Sequence, residues 1–92
     1  MSDEPISRTV AITNIRGLHA RAAARFVRLA ETFDAEVMVE KDGSEVPGTS
    51  IMGLMMLAAS PGSEIEIRAM GPAAQGAVDA LVQLVEDRFD EE

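Results

Sequence analysis

Hydrophobic residues recur along this chain with a period that switches between two and about 3.6. Residues 6–13 alternate, with Ile6, Val10 and Ile12 on one side and Ser7, Thr9 and Thr13 on the other, which predicts a half-buried strand. Arg8 interrupts the apolar side. Residues 14–18 read as a loop in which Gly17 supplies backbone freedom. From Ala20 the pattern turns helical. Ala23, Phe26, Val27, Ala30 and Phe33 form an apolar stripe, and Arg21, Arg25 and Arg28 form a cationic one. This helix is expected to end near Phe33, before Asp34.

Residues 36–40 predict a second strand, and Lys41-Asp42-Gly43-Ser44 a hairpin, because Asp-Gly accommodates positive φ. The return strand, residues 44–47, is short and suited to a sheet edge, since Pro47 cannot donate to a ladder. Ser50 is placed as the N-cap of a short helix over residues 51–57, stopped by Ser60-Pro61-Gly62. That helix is apolar almost all round, so it is either buried or exposes a hydrophobic patch. Leu54 and Leu57 are expected inside, and Met52 and Met55 at least partly outside. Residues 63–70 alternate, with Ile65, Ile67 and Ala69 inward. Pro72 suits the start of a last helix. Its buried stripe is Ala74, Ala77, Val78, Leu81, Val85 and Phe89. The acidic tail Asp90-Glu91-Glu92 is expected to fray. The order β-α-β-β-α-β-α predicts an antiparallel sheet with helices on one face.

Ninety-two residues make one domain, residues 1–92, with a modest core. The core must come from aliphatic residues and Met, because the only aromatics are three Phe. A net charge of −8 and the lack of an aromatic platform argue against nucleic-acid binding. The absence of cysteine excludes disulfides and fits a reducing compartment. The polar start Met1-Ser2-Asp3-Glu4-Pro5 is no signal peptide, and no apolar run is long enough to span a membrane. A cytoplasmic location is expected.

The charge balance inverts in one place. Between Arg16 and Arg28 lie four arginines, no acid, and the only histidine, His19. A helix N-terminus offers unpaired N–H groups that attract phosphate-like anions. The same field favours neutral imidazole, the nucleophilic form. Arg21 and Arg16 could each neutralise an anion carried on the ring. Such a site could accept a phosphoryl group and hand it on. A histidine at a helix start is equally read as a cap, and Arg25 and Arg28 as a solvated face, so the residues alone leave both readings open. One His without Cys cannot build an ordinary zinc site, and no P-loop or dinucleotide fingerprint is present.

The stretch Gly17-Leu18-His19-Ala20-Arg21 resembles the phosphohistidine motif of the HPr family, the histidine phosphocarriers of the bacterial phosphoenolpyruvate-dependent phosphotransferase system. Ser50-Ile51-Met52-Gly53-Leu54 resembles the regulatory-serine motif of the same family. Both stand in the family's order and spacing, and the likeness covers residues 5–89. It implies an α+β, open-faced β-sandwich with sheet order 1-4-2-3 and three helices on one face. It implies that His19 takes a phosphoryl group on Nδ1 from phosphorylated enzyme I and passes it to an enzyme IIA protein. Arg21 would stabilise the phosphate. Arg16, Arg28, Ile51, Met52 and Met55 would meet partners, and Ser50 would be the target of an HPr kinase/phosphorylase. A monomer without cofactor or metal is implied, a relay rather than a stand-alone enzyme.

Two positions depart from the family pattern: Ala22 stands where a proline is usual, and Thr49 where a lysine often precedes the serine. Ala22 and the acidic chain look more like the nitrogen-type regulatory branch. Two rival readings are a regulatory binding module acting through the Ser50 helix without relay, and a small structural α/β domain. The second leaves the arginine island unexplained.

Overall fold

The alternating segments pair into one antiparallel sheet. In a computed structural model, which describes residues 4–91, the strands are β1 (Ile6–Ala11), β2 (Glu36–Lys41), β3 (Ser44–Pro47) and β4 (Glu64–Met70). Their order is β1-β4-β2-β3. The helices are α1 (Ala20–Ala30), α2 (Ile51–Met56) and α3 (Ala74–Glu86), followed by a tight turn at Arg88–Asp90.

Register explains the two faces. Val10 lies opposite Ile65, and Val39 opposite Ile67 and Val46. These side chains meet Phe26, Leu54, Leu81, Val85 and Phe89 in the core. The open face carries Met38, Glu40, Glu45, Glu66 and Arg68. Arg68 reaches Glu45 at 2.8 Å, Glu66 at 3.2 Å and Glu40 at 3.4 Å, so one guanidinium relieves three neighbouring carboxylates. Arg8, which breaks the apolar side of β1, reaches Asp79 of α3 at 3.9 Å with its side chain half exposed. Helix α3 packs on β1, β4 and β2, while α1 packs on α2 and α3. Asp42 and Gly43 both have positive φ, 53° and 86°, the geometry of a two-residue hairpin turn that matches strand twist.

Several boundaries differ from the sequence expectation; those of β2 and β4 move by one residue, and four others have a visible cause or consequence. Strand β1 stops at Ala11, although Ile12 still exchanges backbone bonds with Ser63 and Gly62. Helix α1 ends at Ala30 rather than Phe33. There Thr32 turns its hydroxyl onto the Leu29 carbonyl at 2.7 Å, and the Thr32 and Phe33 amides bond three residues back, which tightens and ends the helix. Helix α2 stops at Met56 with Leu57 as cap, and the next residue, Ala58, is left-handed. Helix α3 ends at Glu86, so Phe89 is buried from the turn beyond it rather than from the helix stripe.

Candidate functional site

His19 is itself the N-cap of α1, with extended backbone at φ −80° and ψ 179°. Its carbonyl accepts the first helical bond, from Ala23 at 2.8 Å. Its ring Nδ1 accepts from the Arg21 backbone N–H at 3.3 Å. One otherwise unpaired amide of the first turn, that of Arg21, is therefore satisfied by Nδ1. Ala22, unlike a proline, keeps its own N–H in that turn.

The preceding loop holds this cap in place. Gly17 has φ +66°, and a Cβ there would meet the Ala59 carbonyl oxygen at 2.6 Å. The same oxygen accepts from the Leu18 N–H at 2.9 Å, and Leu18 is buried. The segment after α2 thus braces the histidine loop directly, which only glycine at position 17 permits.

The second ring nitrogen has a partner that the sequence did not reveal. His19 Nε2 is hydrogen-bonded to a carboxylate oxygen of Glu91. The expectation of a frayed tail is corrected at Asp90 and Glu91; Glu92 lies outside the described residues. The other oxygen of Glu91 accepts from Asn14 Nδ2 at 3.0 Å, and Asn14 Nδ2 also donates to the Gly17 carbonyl at 2.8 Å. Both neighbours of that amide are acceptors, so its NH2 must face them. The consequence is a buried Oδ1 without a protein partner among the described residues. Burial pushes the Glu91 carboxyl upward. Hydrogen bonds from Asn14 and His19, with the attraction of His19 and Arg16, outweigh it and hold the group below its ordinary value.

Of the arginines, Arg16, Arg21 and Arg28 are exposed, with no side-chain hydrogen bond or ion pair among the described residues. Arg25 instead anchors the chain's end, its guanidinium donating to the Phe89 carbonyl. Arg16 also lines a cleft of about 210 Å³ with Ile15, Arg88 and Glu91, beside the histidine. Ser50 caps α2 as expected, its Oγ accepting from the Gly53 N–H at 2.9 Å. Leu54 and Leu57 are buried, and Ile51, Met52 and Met55 are exposed. Two larger exposures were not anticipated, Met56 at 76% and Ile15 at 85%. Met56 lies in a helix apolar almost all round, where the pattern does not mark which side faces out, and Ile15 lies in a loop. Signals for Asn14 and Glu91 are absent from local pattern, because their contacts span 77 and 72 residues.

An open-faced sandwich with this strand order and a histidine capping its first helix defines the HPr-like class of α+β proteins. The comparisons agree. A family model described as the PTS HPr component phosphorylation site matches residues 6–87, stopping short of the left-handed turn. The chain is 44% identical over 86 residues to the phosphocarrier protein HPr of Cupriavidus necator, covering 94% of this chain and 97% of that one. It is 40% identical over 88 residues to the phosphocarrier protein NPr of Escherichia coli, covering 95% and 98%. The crystal structure of HPr from Thermoanaerobacter tengcongensis superposes with a TM-score of 0.90 at 44% identity, covering 95% of this chain and 98% of that one. The chain belongs to the HPr family, the phosphocarriers of the phosphotransferase system, and its similarity to NPr is consistent with the nitrogen-type branch. No helix among the described residues is long and apolar enough to cross a membrane.

Proposed function

We propose that this chain is a single phosphocarrier domain that receives a phosphoryl group on Nδ1 of His19 from phosphorylated enzyme I and delivers it to an enzyme IIA protein in the cytoplasm. The observation that carries the reading is the position of His19 as the cap of α1, with Nδ1 facing the Arg21 amide. An Nδ1 that accepts from an N–H carries a lone pair, which is the nucleophile. The same donors that meet the lone pair can turn to the phosphoryl oxygens once the N–P bond forms. The Arg21 side chain, exposed and unpaired, is free to fold over that charge. Arg16 and Arg28, like Ile51, Met52 and Met55, are exposed, an apolar and cationic set that suits acidic partner proteins.

Ser50 is proposed as a regulatory position acting through that surface. Its hydroxyl already caps α2, so a phosphate there would sit at a helix N-terminus and leave the helix formed. The added charge would instead stand beside exposed Ile51 and Met52 and oppose docking.

The test is incubation with phosphoenolpyruvate and the cognate enzyme I. The relay requires one acid-labile phosphate per chain, lost in His19→Ala, and slower transfer in Arg21→Ala with the fold unchanged. Absence of label in the wild-type protein would overturn it. Acid-stable label from ATP and a cognate kinase, lost in Ser50→Ala, tests the regulatory part.

A further inference from the structure

The chain beyond α3 is unusual in a way that fraying would not produce. Arg88, Phe89 and Asp90 are three consecutive left-handed residues, with φ of 57°, 56° and 60°, and none is glycine. Left-handed backbone costs an L-residue about 1–2 kcal/mol and normally occurs singly. Such a turn persists only where its surroundings hold it. Here the restraints are visible. Phe89 is fully buried in the core. Its carbonyl accepts from Arg25. The Asp90 and Glu91 amides bond back to Asp87 and Arg88 at 3.0 and 2.9 Å. The turn delivers the Glu91 carboxylate between Asn14 and His19. A continued α-helix would instead carry residue 91 onward along the axis of α3, by 1.5 Å per residue.

The two hydrogen bonds to the imidazole specify one tautomer. Arg21 donates to Nδ1, so Nδ1 carries the lone pair; Nε2 faces a carboxylate, so Nε2 carries the proton. We propose that Glu91 is a positioning residue for phosphoryl transfer, presented by the left-handed turn, whose carboxylate keeps the His19 proton on Nε2 through the whole cycle. This rests on the relay reading above.

In the loading step the Nδ1 lone pair forms the N–P bond as the phosphorylated donor's bond to phosphorus breaks and its electron pair leaves with the donor. The ring becomes a phosphoimidazolium, and its positive charge is shared over Nε2–H beside the Glu91 carboxylate. In the unloading step the N–P electron pair returns to the ring, which is again the neutral Nε2–H imidazole. No proton enters or leaves, so transfer in either direction needs no separate acid or base. The carboxylate stabilises the charged ring in both steps. Its lowered titration keeps it ionised to complement that charge. Arg16 and Arg88 line the adjoining cleft with Glu91, Arg16 adds its attraction to the carboxylate, and Asn14 is its fixed neutral donor.

Two readouts test the assignment. In proton NMR of the free protein, a carboxylate-bound Nε2–H of His19 should appear far downfield and disappear or move upfield in Glu91→Gln, which keeps side-chain shape without charge. In transfer from phosphorylated enzyme I, Glu91→Gln should lower kcat about 10-fold, in the range of other residues that orient a functional histidine, with KM unchanged. Glu91→Asp should recover part of the loss. A downfield proton that persists in Glu91→Gln and Glu91→Ala, or kcat equal to wild type in both, would overturn the proposal. A merely structural role for the tail would lower thermal stability without moving either readout. If the wild-type protein took no phosphate, the relay reading would fail, while the proton spectrum would still decide whether Glu91 holds the ring.

Discussion

Arg88→Gly separates two accounts of the chain's end by sign. Sequence periodicity continues the last helix to Phe89, and in a helix a glycine at 88 costs about 1 kcal/mol. The structure puts Arg88 at φ 57°, where an L-residue pays about 1–2 kcal/mol that glycine does not. Glycine also has more freedom to lose on folding, about 0.5–1 kcal/mol. The net expectation is a gain of about 0.5–1 kcal/mol. The Arg88 side chain is exposed and makes no hydrogen bond or ion pair among the described residues, so its removal sacrifices no contact that would blur the sign. For a domain of this size each kcal/mol moves the melting temperature by about 4–8 °C. Thermal unfolding followed by circular dichroism should therefore show a rise of about 2–8 °C. A fall of about 4 °C or more would refute the left-handed turn and, with it, the placement of Glu91. Asp90→Gly should have the same sign and a smaller size, since Asp tolerates this region better than Arg.

Gly17→Ala combines a left-handed residue with a Cβ 2.6 Å from the Ala59 oxygen; urea unfolding should show a loss of about 2–4 kcal/mol, the sum of backbone strain and a displaced buried hydrogen bond, and a loss below 1 kcal/mol would mean the Ala59 segment does not brace the loop. Ser50→Ala removes the α2 cap and should cost about 1 kcal/mol by the same assay, whereas Ser50→Asp should keep most of the wild-type stability if the oxygen acts as a cap. Glu91 titrates below its ordinary value of 4.5 in the folded chain, so its contribution is fully present above that pH and is lost as pH falls through the lower folded value. The stability difference between wild type and Glu91→Gln should therefore be largest above pH 4.5 and shrink on acidification; a difference that grows in acid would reverse the assignment.

Much of the fold was legible because its signals are local. Alternation placed the first and last strands, Asp42-Gly43 marked the hairpin that joins the middle two, Ser50 marked a helix start, and the inward set Ile65, Ile67 and Ala69 is buried. The place of His19 at the start of α1 was legible for the same reason: the switch to helical period and the nearby glycine lie within a few residues. Helix ends were less legible, since Thr32 and Ala58 end α1 and α2 without a glycine or proline next to the last helical residue. The tail was misread for a specific reason. Phe89 stands four residues after Val85, so a continued helix and a left-handed turn both bury it, and periodicity cannot separate them.

That ambiguity explains why only one side of the histidine could be read from the sequence. Nδ1 is served by the helix His19 itself begins, and its donor is an amide only two residues away. Nε2 is served by a residue 72 positions away, carried there by a backbone conformation that no glycine announces. The two halves meet through Asn14, whose amide ties the Gly17 carbonyl on the histidine loop to Glu91 on the tail. An asparagine that bridged only the loop could leave its NH2 half solvated. A fully buried one bears the cost of leaving water, which the loop turn alone does not require. The cost is intelligible if the bridge serves the histidine, because it fixes the carboxylate against the ring while the helix fixes the lone pair on the opposite nitrogen.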